Sequence, residues 1–164
     1  MDTQPRPIHN PFAGHDEYNC FGCDPNNPIG LKLSFVLEGE SVAATWSPRD
    51  DLEGYPGVVH GGIQATLVDE VAAWCAYAVL ARAGVTKQLQ INYLKPARAA
   101  NGPFRLVATV ARSDEKAAAI SVTLTDSTGT LCASATVEYA LFSDEIGRRR
   151  FGFPGIEAFL PDPG

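Results

Sequence analysis

One stretch constrains this chain more than any other. Residues 61–83 contain no proline, and no glycine after Gly62. They are rich in Ala, Leu and Val, and the apolar residues Ile63, Leu67, Val68, Val71, Ala72, Trp74, Val79 and Leu80 lie on nearly every side of a helical projection. A helix that is apolar all round must be covered on most faces. At 23 residues it spans about 35 Å, the width of a small domain. Gly84 stands where a C-terminal cap is expected.

The flanking segments read as strands. Leu31, Leu33, Phe35 and Leu37 alternate with Lys32, Ser34 and Val36, a period of two. Gly39-Glu40 makes a turn into a second run through Val42, Ala44 and Trp46. After the helix, four further runs cover residues 86–95, 104–112, 118–126 and 130–142, with Asp126-Ser127-Thr128-Gly129 as a hairpin turn. Short turns imply antiparallel neighbours. The expected fold is α+β, an antiparallel curved sheet of about six strands wrapped around one long central helix. With 164 residues, 45% of them hydrophobic, one domain with an ordinary core is expected. We divide the chain into an irregular arm (residues 1–30, with Pro5, Pro7, Pro11, Pro25 and Pro28), a domain (31–142) and a tail (143–164, with Arg148-Arg149-Arg150).

Charge and composition narrow the partners. The formal net charge is −6, which disfavours nucleic acid, whose binding relies on Lys and Arg. No run reaches the roughly 18 consecutive apolar residues of a membrane span, and the polar, proline-rich start lacks signal-peptide features. Neither nucleic acid nor membrane is expected as a partner, and the cytoplasm is the expected location. Cys20 and Cys23 form a CxxC pair, with Cys75 and Cys132 alone in apolar runs. A structural zinc site usually needs a second close pair or nearby histidines. His15 is the one further ligand in view, so reduced structural cysteines are expected, with no metal and no cofactor.

The chemistry concentrates at the helix start, Gly57-Val58-Val59-His60-Gly61-Gly62. Two glycines there allow close approach to the backbone, and the free N–H groups and positive dipole polarise a carbonyl or bind an anion. Asp69 and Glu70 interrupt the apolar helix, where a carboxylate is costly unless paired or used. Gly62, Ala65, Thr66, Ala73 and Ala76 share a face with Asp69 and leave room for a ligand or a neighbouring helix. Solvated carboxylates at a groove are the plainer alternative. Glu70 lies about 100° round the helix from Asp69 and should point elsewhere. Asp69 is about 12 Å beyond Gly61 along the axis, too far for both to touch one carbonyl. If both act, Asp69 of one subunit must meet Gly61 of another across a two-fold axis.

His60-Gly61-Gly62-x-x-x-x-Leu67-x-Asp69 resembles the hallmark of hotdog-fold acyl-CoA thioesterases, notably the phenylacetate-pathway type related to 4-hydroxybenzoyl-CoA thioesterases. Cys20-Phe21-Gly22-Cys23 with Asn27-Pro28-x-Gly30-Leu31 resembles the N-terminal signature of one branch, and Thr86 through Asn92-Tyr93-Leu94-Lys95-Pro96-Ala97-Arg98 the strand after the helix. The resemblance spans residues 18–142. It implies an enzyme that hydrolyses an acyl-CoA to free acid and CoA. Asp69 would be its general base or its nucleophile, and the Gly61 N–H would polarise the thioester carbonyl. His60 would help hold that oxygen, and Thr86 would orient water or Asp69. Gly62 and Asn92 belong to the same substrate-binding region. Lys95, Arg98 and Arg112 are candidates for the CoA phosphates, with solvated surface charge as the alternative for each. The expected assembly is a homodimer or a homotetramer built as a dimer of dimers. The rival readings are a hotdog dehydratase or hydratase acting on acyl-CoA or acyl-carrier protein, a non-catalytic acyl-CoA-binding protein, and a structural protein with an empty site. The acyl group, the tetramer arrangement and the choice between base and nucleophile are not encoded in these motifs.

Overall fold

A computed structural model describes residues 4–161; the first and last three residues of the arm and tail lie outside the described range. Seven strands form one antiparallel sheet: β1 Arg6–Ile8, β2 Phe35–Glu38, β3 Ser41–Trp46, β4 Gly84–Tyr93, β5 Phe104–Ser113, β6 Ala117–Thr125 and β7 Leu131–Leu141. Their order is β1-β2-β3-β5-β6-β7-β4. A single long helix, α1 (Gly61–Leu80), packs on this sheet, with Leu67, Val71, Ala72 and Cys75 fully buried. This is the hotdog architecture, with seven strands where about six were expected. By length and apolarity α1 would also suit a membrane crossing, but here half of it is buried inside the fold.

The extra strand comes from the arm. Arg6–Ile8 pairs with β2, and only Ile8 of the three is buried. Residues 31–34 do not join the sheet, although the alternation predicted a strand from Leu31. Lys32 takes a left-handed conformation (φ 55°), and the Leu31 and Leu33 amides donate to the carbonyls of Phe21 and Gly22. The alternation survives as burial of Leu31 and Leu33, while the backbone is tied to the turn around the cysteines.

The helix ends sooner than expected. Ala81, not Gly84, adopts the left-handed cap (φ 54°), with its N–H on the Ala76 carbonyl; Gly84 opens β4. Arg82 then holds the exit by donating to the carbonyls of Phe142 (2.7 Å) and Glu115 (2.9 Å).

The tail also folds. Residues Asp144–Phe151 form α2, capped by Ser143 and ended by Gly152 at φ 63°, and Ile156–Phe159 form the short α3. Phe153 and Phe159 are buried and stack on Tyr77 of α1 at 5.7 and 5.0 Å between ring centroids. Arm and tail meet through His9 N–H on the Phe159 carbonyl (2.8 Å). The far end of α1, left bare by the sheet, is covered by these aromatic rings.

Candidate active site

The start of α1 is set by His60. Its Nδ1 accepts from the Gly62 N–H at 2.9 Å, an N-cap made by an imidazole rather than by the usual hydroxyl or carboxylate. A lone pair on Nδ1 places the ring proton on Nε2 in the neutral imidazole, which leaves that nitrogen as a donor. Tyr93, across from the helix start on β4, donates to the Gly61 carbonyl at 2.7 Å. A methyl group on Gly61 would lie 3.4 Å from the Tyr93 ring, and one on Gly62 would lie 3.1 Å from His60 Nδ1.

These residues border a cavity of about 680 Å³, lined by Tyr55, Val58, Val59, His60, Gly61, Gln64, Tyr93, Leu94 and Lys95 among others. That is the size range of small-molecule sites. Its lining is mainly apolar, with the helix N-terminus and Lys95 as positive features. Gln64 was not anticipated. It is 4% exposed, its Nε2 donates to the Val59 carbonyl at 2.9 Å, and its Oε1 has no partner among the described residues. An orphaned buried acceptor is costly, and a ligand donor in the cavity would relieve it.

Asp69 sits half-buried in the middle of α1. Its Oδ1 accepts from Thr86 Oγ1 at 2.7 Å and from the Tyr139 hydroxyl at 3.1 Å; the same hydroxyl lies 2.9 Å from the Asp69 carbonyl oxygen. The placement of Thr86 depends on a bulge. The β4–β7 register shifts between Thr86 and Gln88, so Thr86 (opposite Tyr139) and Leu89 (opposite Val137) share the helix-facing side. Burial, then the nearby Asp69 charge, pushes the Tyr139 phenol well above its ordinary value, so it stays a donor to the carboxylate. Tyr139 was missed in the sequence because nothing local marks it; only the strand register brings it to a residue seventy positions away.

The other sequence candidates divide. Lys95 lines the cavity, and Arg98 is exposed beside it, its backbone bridged to Val58. Asn92 and Arg112 are not brought to that cavity within one protomer. Asn92 pairs with Ser134 and Arg112 with Ala119, in rows facing away from α1, and Arg112 is ion-paired with Glu138 at 2.6 Å. The tail arginines belong to α2, where Arg148 caps the Pro154 carbonyl at 2.9 Å and Arg149 faces Glu145 at 3.9 Å.

Glu70 points away from Asp69, as its helical phase requires. It reaches Cys20 instead, with Oε1 3.5 Å from Cys20 Sγ and 3.2 Å from Trp74 Nε1. Burial, then the neighbouring Cys20, pushes its carboxyl up to about 7. Hydrogen bonding from Cys23 draws the Cys20 thiol down to about 5, while the Cys23 thiol is pushed far up.

Residues 56–133 match the family model described as the thioesterase superfamily. A putative esterase of Saccharolobus solfataricus is 25% identical over 119 residues, covering 72% of this chain and 77% of the relative. The crystal structure of AziG from S. sahachiroi superposes with a TM-score of 0.63 at 27% identity, covering 68% of this chain and 92% of that one. A protein of Streptococcus mutans solved with acetyl CoA bound shares the fold, with a TM-score of 0.64 at 23% identity over 79% of this chain and 97% of its own. The matched residues take in the capped helix start, Asp69 and Thr86. With the hotdog topology around them, residues 56–133 are similar to the thioesterase superfamily, and the fold is that of AziG.

Proposed function

We propose that this protein is an acyl-CoA thioesterase whose active site is shared between two subunits. The observation that carries this reading is the Asp69 carboxylate, held by Thr86 and Tyr139 halfway along a mainly apolar helix whose capped N-terminus borders the cavity. A carboxylate fixed by two hydroxyl donors on Oδ1 keeps Oδ2 for a water or an acyl carbon.

In the reaction, the thioester carbonyl oxygen is received by the Gly61 N–H at the positive end of α1. Asp69 takes a proton from water as the water oxygen attacks the carbonyl carbon. The tetrahedral intermediate collapses, the C–S bond breaks, and CoA leaves as a thiolate, which needs little acid assistance because thiol pKa values lie near 8.5. Direct attack by Asp69 to give a mixed anhydride, then hydrolysed by water, uses the same residues. The S. mutans protein of the same fold holds acetyl CoA, which fits a CoA ester here. Lys95 and Arg98, at the cavity mouth, would meet the CoA phosphates.

The case for a shared site rests on distance and on β4. Asp69 and Gly61 lie about 12 Å apart along one helix. β4 is an edge strand of ten residues with β7 on one side only, and Val85, Tyr93 and Leu94 on or just after it are 41–51% exposed. Such an edge invites pairing with a second copy. Antiparallel β4–β4 pairing would lay two α1 helices antiparallel and bring Asp69 of each near Gly61 of the other. The test is CoA release from a panel of aryl and aliphatic acyl-CoAs by the native protein and by Asp69→Ala. Loss of at least about 100-fold in the variant is expected for a missing base or nucleophile. Failure to cleave any acyl-CoA, or an equally active variant, would refute the proposal.

A further inference from the structure

On the other side of α1 from Asp69, Cys20, Cys23 and Glu70 converge. One ligand atom from each lies within 4.8 Å of the others, with Cys20 Sγ 3.3 Å from Cys23 Sγ and 3.5 Å from Glu70 Oε1. They border a second cavity, of about 270 Å³, together with Tyr18, Trp74 and Tyr77. We propose that Cys20, Cys23 and Glu70 bind a zinc-type divalent cation, with a fourth position open to water from this cavity.

The ligand set is complementary to such an ion. Zinc takes thiolate sulfur at about 2.3 Å and carboxylate oxygen at about 2.0–2.2 Å in tetrahedral geometry. Those bond lengths give edges of about 3.8 Å between sulfurs and about 3.5 Å between sulfur and oxygen. The Cys20–Glu70 separation already matches, and the two sulfurs need to part by about half an ångström. Binding releases the thiol protons to solvent. Two thiolates and one carboxylate carry three negative charges, of which the ion offsets two, leaving the bound cluster at −1.

Charge is the second argument. Among the described residues, no Lys, Arg or His forms an ion pair with Glu70, and its donors are Cys20 and the Trp74 indole. A partly buried carboxylate beside two thiols, with no cation paired to it among the described residues, is costly to keep charged.

The surroundings are built for these positions. At Gly22 an added Cβ would fall 2.4 Å from the Glu70 carboxyl, so only glycine lets the turn press onto that group. Asn10 Nδ2 donates to the Cys23 carbonyl and Asn27 Nδ2 to the Asn19 carbonyl, fixing the turn from both sides. Trp74 Nε1–H orients the Glu70 ligand, and the Tyr18 hydroxyl lies 2.8 Å from Cys23 Sγ, as outer partners of a metal site do. The sequence offered only His15 as a further ligand and led to the expectation of no metal; in the structure the third ligand group beside the cysteines is Glu70, fifty residues from Cys20. The ion would pin the 20–23 turn to α1 one residue from Asp69. The proposal stands whether or not the thioesterase reading does.

The test is metal content and cobalt substitution on the full chain, purified without chelator in a non-thiol reductant. About one zinc per chain is expected, and Co²⁺ should give thiolate-to-cobalt charge-transfer absorption. Cys20→Ser/Cys23→Ser should abolish both. Glu70→Gln should weaken affinity at least about 10-fold, and Cys132→Ser, in the core away from the cluster, should change neither. Circular dichroism of each variant separates loss of ligands from loss of fold. A folded native protein that binds neither ion, that binds only after Cys132 is removed, or that keeps zinc in the double cysteine variant overturns the proposal. So does a native protein that takes up no zinc once a Cys20–Cys23 disulfide has been reduced.

Discussion

Thr86 Oγ1 donates a 2.7 Å hydrogen bond to Asp69 Oδ1, joining the bulge of an edge strand to the middle of the central helix across seventeen residues of sequence. The bond fixes which Asp69 oxygen is occupied and which is free to act. Thr86→Val keeps the shape and removes the donor. A hydrogen bond to a charged group contributes about 1.5–3 kcal/mol, so kcat is expected to fall about 10- to 100-fold, with KM nearly unchanged. Thr86→Ser should keep most of the activity. Steady-state kinetics on a cleaved acyl-CoA would check both, and a Val variant with native kcat would remove Thr86 from the site.

Phe159 was unreadable as a core residue in a tail of glycines, prolines and arginines, yet it is fully buried against Tyr77, Phe12 and Trp74. Truncating a buried phenylalanine costs about 3–5 kcal/mol. Phe159→Ala should therefore lower the denaturation midpoint strongly, while Leu160→Ala next to it, only partly buried, should do less. Urea unfolding followed by tryptophan fluorescence is suited to this, since Trp74 contacts Phe159 directly.

What the sequence revealed and what it hid follow from range. The helix and six of the strands were legible because each carries its own periodicity, and the His60-to-Asp69 spacing was legible because it lies on one element. β1 has only Ile8 to bury, with one proline just before it and one inside it, so no pattern announces it. The first half of the Leu31–Leu37 alternation was real as burial of Leu31 and Leu33 but not as strand, because Lys32 turns the backbone through a left-handed conformation and β2 starts only at Phe35. Tyr139 and the Glu70–Cys20 contact depend on packing between segments fifty to seventy residues apart. Asn92, named through the resemblance, and Arg112, named as a strand-end cation, face away from α1 within one protomer, an orientation set by strand register.

Ala81 holds a left-handed conformation at the end of α1, where the sequence pointed to Gly84. An L-residue with a Cβ is strained there by about 1–2 kcal/mol, and glycine is not. Glycine also gains entropy in the unfolded chain, which offsets part of that relief. Ala81→Gly is expected to stabilise the protein by about 0.5–1 kcal/mol, whereas Gly84→Ala should destabilise it, because a Cβ at Gly84 would meet the Ala140 carbonyl at 2.9 Å. Thermal unfolding of the two variants should move in opposite directions.

Asp126 organises the β6–β7 turn. Its Oδ1 accepts from the Thr128 hydroxyl (2.7 Å) and from the amides of Thr128 and Thr130, and its Oδ2 from Asn101. These donors, the Thr128 hydroxyl foremost, hold its carboxyl below the ordinary aspartate range. A depressed native pKa means the unfolded chain binds the proton first. The stabilisation is therefore present above the unfolded value of about 3.9 and is lost as pH falls through the lower native value. Asp126→Asn should lower Tm at neutral pH and flatten its fall below pH about 4. An unchanged acid limb in the variant would mean that other carboxylates govern acid unfolding.

The separation of Asp69 from Gly61 along one helix makes the shared site testable by complementation. Asp69→Ala removes the proposed base but keeps a normal helix start. Gly61→Val keeps Asp69 but fills the helix start, where even a single methyl already lies 3.4 Å from the Tyr93 ring. Each homodimer should be inactive. In a mixed dimer, one site carries both lesions and the other carries neither, because its Asp69 and its Gly61 come from different chains. Random re-association of equal amounts should then restore about a quarter of native activity, since half of the dimers are mixed and each holds one intact site of two. A charged edge variant such as Val85→Asp, designed to block β4 pairing, should prevent that recovery. If the two inactive variants show no recovery although mixed dimers form, each site draws both residues from a single chain, and the antiparallel arrangement of the two helices is refuted.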